Sequence, residues 1–118
     1  EAVRVIYDPT KVSYPQLVAY FWRHIDPSVK DRQFCDVGSQ YRSGIYWQNE
    51  AERLAAQASR DELLKSGRFK QIHTEIQPAS KFYLAEDYHQ NYYKKNPVRY
   101  NYYRLSCGRD ARIKKLWE

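Results

Sequence analysis

Between Ser13 and Pro78 the apolar residues change period, and this alternation restricts the fold more than any other feature of the chain. Tyr14, Leu17, Val18, Phe21 and Ile25 recur at i, i+3, i+4, i+7 and i+11, one stripe on the face of a helix. Ser13 just ahead, with Gln16 three residues on, forms a capping-box pattern, and Asp26-Pro27 closes the segment. Arg42 to Gln48 then reads as a strand. Asn49 with Glu52 repeats the cap signature before Ala51, Leu54, Ala55 and Ala58, a second amphipathic helix that ends at Ser66-Gly67. Ile72, Thr74 and Ile76 alternate with His73, Glu75 and Gln77 until Pro78, a strand pattern. Ala2 to Asp8, with Val3, Val5 and Ile6, predicts a first strand that stops at Asp8-Pro9. Strand, helix, strand, helix, strand places the chain in the α/β or α+β class.

Two segments fall outside this alternation. Residues 26–41 hold Pro, Asp, Lys, Gly and Ser with no period, a loop of the length that is functional or disordered in compact domains. It ends in Cys35-Asp36-Val37-Gly38-Ser39-Gln40-Tyr41-Arg42-Ser43, which runs directly into the apolar Gly44-Ile45-Tyr46-Trp47. A loop held on the end of a rigid strand is where binding and catalytic groups commonly sit, although Asp, Gly and Ser also make an ordinary tight turn. The last third is polar and aromatic, with 7 of the 12 tyrosines between Tyr83 and Tyr103. Glu86 to Tyr93 predicts one short helix, Asn96-Pro97 a cap for another, and Ile113, Leu116 and Trp117 lie on one side of a basic amphipathic tail.

At 118 residues the chain is one small domain with a modest core. It shows no apolar run of membrane-spanning length and no signal-peptide pattern. The net charge of +6 comes from residues 94–118, with 8 basic and 2 acidic side chains, whereas basic and acidic groups cancel over residues 1–93. A basic, Tyr-rich end can meet nucleic acid or an acidic partner, or serve as a solvated helical face. The chain has no methionine and opens on strand-like residues, which points to a piece of a longer polypeptide.

Candidate chemistry is sparse at first reading. Neither His24, His73 nor His89 sits in a cluster with zinc spacing, and no glycine-rich phosphate loop or nucleophile elbow is present. The two cysteines, Cys35 and Cys107, are too few for a disulfide-stapled secreted fold and compatible with a reducing compartment. Cys107 stands beside Gly108 with Arg104 and Arg109 on either side, where cations raise thiol reactivity; Cys35, after Phe34, reads as a small apolar filler.

In order, however, the segments resemble the A-type peptide-methionine sulfoxide reductases. The matching residues begin with Glu1-Ala2-Val3-Arg4-Val5, Tyr7-Asp8-Pro9, Phe21-Trp22, Asp26-Pro27 and Gln33. They continue with Asp36-x-Gly38-Ser39-Gln40-Tyr41-Arg42-Ser43 and Thr74-Glu75-Ile76, then Phe82-Tyr83-x-Ala85-Glu86-Asp87-Tyr88-His89-Gln90 and Tyr93-x-Lys95-Asn96-Pro97. The resemblance implies a two-layer α/β (α+β) sandwich of ferredoxin-like type, extended here by a helical and irregular Tyr-rich C-terminal part. It implies reduction of methionine-S-sulfoxide, free or in peptides, by a cysteine thiolate while an acid and tyrosine hydroxyls hold the departing oxygen. Thioredoxin or another dithiol recycles the enzyme, with no bound cofactor, no metal and no membrane, and the cytoplasm is the expected compartment.

By the same resemblance, Glu1 matches the acid and Tyr41 an oxygen-binding tyrosine, while Asp36 and His89 fall to the substrate side. The family's Gly-Cys-Phe-Trp nucleophile loop would lie upstream of Glu1, so residues 1–118 form a single domain incomplete at its N-terminus and partnered by that missing segment. Cys107 stands six residues beyond the family's recycling position at Asn101 and is a candidate resolving thiol, or else a structural cysteine. Two other readings compete: an inactive interaction protein of this fold, and a basic Tyr-rich nucleic-acid-binding module.

Overall fold

The computed structural model describes residues 2–118. Its first regular element is α1, Tyr14–Trp22. Ser13 caps it as its sequence requires: the Gln16 amide donates to Ser13 Oγ at 3.2 Å, and the Ser13 amide donates to Gln16 Oε1 at 2.8 Å. α2, Glu50–Lys65, starts from Asn49, whose Oδ1 accepts the Glu52 amide at 2.9 Å. Glu50 and Glu52 occupy its first turn and Lys65 its last, matching the helix dipole. The two helices pack through Val18 and Trp22 on one side and Ala56 on the other. The small Ala56 side chain, fully buried, lets them approach, and the Trp22 indole N–H donates to Ser59 Oγ at 2.9 Å.

Two short sheets complete the fold. β1, Arg32–Gln33, and β2, Asp36–Val37, form an antiparallel hairpin. β3, Gly44–Trp47, and β4, Glu75–Pro78, run parallel, with Ile45 opposite Ile76. Parallel neighbours need a long crossover, and α2 supplies it. Next to the ladder, the Ser43 and Thr74 hydroxyls meet at 2.8 Å, both buried. Ile25, Ile45, Phe69 and Ile72 join α1 and α2 in one core.

The C-terminal part is helical: α3, Tyr92–Lys95, α4, Pro97–Ser106, and α5, Arg109–Trp117. Pro97 opens α4 at the position where its missing N–H costs nothing. α5 returns to the core, where Trp117 packs edge-on against Phe69 at 5.2 Å between ring centres. Among the described residues no helix is long and apolar enough to cross a membrane.

The architecture is α+β, as expected, with local differences. α1 stops at Trp22, short of Ile25, and the loop expected over residues 26–41 contains the β1–β2 hairpin. Residues 2–7 form no strand: Val3 and Ile6 are 87% and 86% exposed, and among the described residues no strand lies alongside to complete a ladder. The third strand begins at Glu75 rather than Ile72, because Ile72 and Thr74 are buried without being paired in the ladder. In place of one helix over 86–93, a 3₁₀ turn at Asp87–His89 and α3 are separated by Asn91, whose φ of 54° is left-handed. Asparagine tolerates that conformation better than most residues.

The buried hydroxyl pair offers a clean test. Thr74→Val removes one partner and leaves the Ser43 hydroxyl unsatisfied, so it should cost about 1–3 kcal/mol in urea unfolding. Adding Ser43→Ala should recover part of that loss; a double variant that loses more than Thr74→Val alone would contradict this account.

Candidate functional site

The site is built on the turn that leaves α1. Four consecutive carbonyls there each accept a hydrogen bond from a different side chain or segment. His24 O takes Arg109 Nη2 at 3.1 Å, Ile25 O takes the Trp117 indole at 3.2 Å, and Asp26 O takes Gln33 Nε2 at 2.8 Å. Pro27 O takes the His73 amide at 2.8 Å. The Asp26 amide donates back to Gln33 Oε1 at 3.1 Å, so Gln33 holds both backbone groups of that residue. The Asp26 side chain is 5% exposed, and it is satisfied by the Ser28 amide, the Ser28 hydroxyl and Arg112 Nε at 3.1 Å. This turn therefore docks both the β1–β2 hairpin and α5.

The hairpin presents the loop seen in the sequence. Phe34 and Cys35 form its tip, with Phe34 in the left-handed region at φ 55° and the Arg109 guanidinium 4.5 Å from its ring centre. Gly38, at φ 141°, occupies backbone space that favours glycine, and its amide donates to Asp31 O at 2.9 Å. A 3₁₀ turn at Ser39–Tyr41 follows, and Arg42 ties it down: Nη1 donates to Ser39 O at 2.7 Å and Nε to Glu75 Oε2 at 3.2 Å. Tyr41, half-buried, thus stands three residues before the first residue of β3.

The joint between α4 and α5 closes over this loop. Asp36 Oδ1 accepts the Tyr103 hydroxyl, and Cys35 is disulfide-bonded to Cys107 with their Cα atoms 5.3 Å apart. A cavity of about 370 Å³ lies beside the bridge, lined by Asp26, Val29, Arg32, Phe34, Cys107 and Arg112. The joint itself is held by Arg104, which grips both Asp110 oxygens, with Nε at 3.1 and 3.0 Å, and donates to Tyr100 Oη at 2.9 Å. Those bonds keep the Asp110 carboxyl below the ordinary aspartate range and the Arg104 guanidinium above its own. Burial, and next the nearby Arg104, shift Arg109 the other way.

Of the residues expected at a site, Asp36, Tyr41 and Cys107 belong to this one assembly of loop and joint. Glu1 lies outside the described residues. His89 is exposed on the 3₁₀ turn at Asp87–His89, its ring 4.2 Å from that of Tyr88. Cys35 is no apolar filler: it is exposed and bonded to Cys107. Sequence reasoning also missed the parts played by Tyr103, Arg109 and Arg112. An even cysteine count was the one available signal for the bridge, and it says nothing about proximity. Chemically, a carboxyl and a phenol on one loop, Asp36 and Tyr41, can hydrogen-bond a polar oxygen, and a disulfide stands beside Asp36.

Two measurements probe these contacts. Arg112→Met keeps the apolar stem but takes the charged donor from Asp26, and should cost about 1.5–3 kcal/mol by urea unfolding. For Asp110, the folded-state pKa is depressed, so its stabilisation is present above the ordinary value of about 3.9 and lost as pH falls through the lower folded value. NMR titration should place the Asp110 midpoint below about 3.9, returning towards it in Arg104→Leu; equal midpoints would refute the pairing.

The family model for peptide methionine sulfoxide reductase matches residues 1–118. The chain is 44% identical to the peptide methionine sulfoxide reductase MsrA of Bacillus velezensis, over 99% of this chain and 67% of that protein. It is 46% identical to the Caulobacter vibrioides protein MsrA 2, over 99% of this chain and 59% of that one. Mxr1 from Saccharomyces cerevisiae, solved in reduced form, superposes with a TM-score of 0.72 at 35% identity, over 78% of this chain and 50% of that structure. The chain spans 50–59% of the length of the first curated relatives it matches. With the ordered motifs and these matches in agreement, the chain belongs to the peptide methionine sulfoxide reductase family.

Proposed function

We propose that the complete polypeptide reduces methionine-S-sulfoxide, free or in proteins, and that residues 1–118 form the C-terminal part of its single catalytic domain. The observation that carries this reading is the fixing of Asp36 and Tyr41 on one loop, with a cysteine pair beside them, in a chain of this family. The nucleophile is a cysteine in a Gly-Cys-Phe-Trp segment upstream of Glu1. Its thiolate attacks the sulfoxide sulfur; Glu1 donates the proton that turns the oxygen into a leaving hydroxyl, and Tyr41 hydrogen-bonds that oxygen. The released hydroxide then attacks the cysteine sulfur of the resulting S–S sulfonium. That bond breaks with its electron pair going to methionine, and the cysteine is left as a sulfenic acid that carries the oxygen. A thiol then displaces that oxygen as water and forms a disulfide. Cys107, in its reduced form, is our candidate for that thiol.

Asp36 orders the substrate side of the loop, and His89 contributes to the pocket wall. Thioredoxin or another dithiol supplies the two electrons, so no prosthetic group is needed and the reducing cytoplasm is the fitting compartment. The β3–α2–β4 unit is one arm of the ferredoxin-like sandwich we assign to the complete domain.

The test is turnover of a peptide carrying methionine-S-sulfoxide by the complete polypeptide, with dithiothreitol as reductant. Glu1→Gln should lower kcat by about 10²- to 10⁴-fold, Tyr41→Phe should lower it by less, and residues 1–118 alone should give no turnover. Equal rates for Glu1→Gln and the parent, or preference for the R epimer, would overturn the assignment.

A further inference from the structure

We propose that the Cys35–Cys107 bridge is a redox-active clasp: a dithiol attacks Sγ of Cys35, Cys107 leaves as the thiolate, and the reduced pair frees the 31–41 loop from the joint between α4 and α5. The inference rests on the geometry of the bridge; it shares with the reductase reading one residue, Cys107, and none of its readouts.

Access sets the direction of attack. Cys35 is at the exposed tip of the β1–β2 hairpin, whereas Cys107 is half-buried at the end of α4. Thiol–disulfide exchange requires access to the sulfur attacked, and Cys35 is the more exposed residue of the two. The charge around the partner sulfur favours the same direction. Cys107 shares a cavity wall with Arg32 and Arg112 against a single carboxylate, Asp26, and positive surroundings stabilise a departing thiolate. The atoms balance. The dithiol's first sulfur bonds to Cys35 as the old S–S bond breaks, and its second thiol then closes the reductant's own disulfide and expels Cys35. Two electrons and two protons pass to the pair.

The loop has reason to move once the bond is cut. Asp31 and Phe34 hold left-handed φ values of 53° and 55°, and for a bulky residue such as Phe34 that conformation is unfavourable. The β1–β2 strands are two residues each, and the Tyr103–Asp36 hydrogen bond is exposed, as are Arg32, Cys35 and Val37 of the hairpin. Contacts of that kind are weak against water. The Gln33 bonds to Asp26 remain as the pivot. The redox state of the pair therefore decides whether Asp36, next to Cys35, is held against Tyr103.

With every cysteine outside residues 1–118 replaced by serine in the complete polypeptide, a thiol reagent acts on this bridge alone. The oxidised protein is mixed, without denaturant, with a thioredoxin whose second active-site cysteine is replaced by serine. The adduct should form on Cys35, with Cys107 free for alkylation, in a ratio of at least about tenfold over the reverse. After dithiothreitol, amides of 31–41 should exchange hydrogen at least about tenfold faster, while those of α2, β3 and β4 keep their rates. Resistance to reduction in native buffer, an adduct on Cys107, unchanged exchange in the loop, or acceleration across the whole chain would each overturn the proposal. The last of these would mark a structural staple. Methionine sulfoxide turnover enters none of these readouts, so the two readings fail separately.

Discussion

A carboxylate with almost no access to water must be answered by other groups, and Asp26 shapes the molecule around that demand. It stands just past α1, in a turn whose carbonyls, from His24 to Pro27, lie outside the helix ladder and need partners of their own. Both needs are met by the same distant elements. Arg112 answers the charge, Arg109 and Trp117 answer two carbonyls, and Gln33 and His73 answer the next two. An unmet group in that turn would cost as much as several surface contacts gain. The hairpin and α5 are therefore fixed by polar bonds at one end of α1, and the apolar core beneath, Trp22, Phe69 and Ile25, fills in behind them.

From this anchor the functional loop is held at both ends. Gln33 ties its beginning to Asp26, and Arg42 ties its end to Glu75 beside β3. Between these ties, Asp36 and Tyr41 sit on backbone that glycine at position 38 and a 3₁₀ turn allow to bend sharply. The chemistry we propose is thus placed on a loop that a strand and a helix hold in position. The sulfur bridge adds a contact of a different kind, one whose strength depends on the redox state of the surroundings and not on solvent or packing.

The sequence was legible where a residue's neighbours along the chain determine its state. Ser13 with Gln16 and Asn49 with Glu52 announce helices because cap and first turn lie within four residues. The polar, glycine-bearing run before Gly44 announces a loop on a strand for the same reason. What stayed hidden depends on partners far away. Cys35 and Cys107 are 72 residues apart, Asp36 and Tyr103 67, and Asp26 and Arg112 86. Periodicity tells that a side chain will be covered, never by what. The same limit explains the strand expected at residues 2–8: Val3, Val5 and Ile6 carry the composition of a strand, but a strand exists only beside another.

These separations also set an order in time. A ribosome adds about 5–20 residues per second, so the 86 positions between Asp26 and Arg112 take on the order of ten seconds to synthesise. Once Lys65 has been added, α1, its cap complete, can rest on α2, whereas the turn after it still has no Arg112, Arg109 or Trp117 to meet. The nascent chain must hold that corner hydrated until residues 109–117 arrive. Maturation of the loop that bears Asp36 thereby waits on the synthesis of α5.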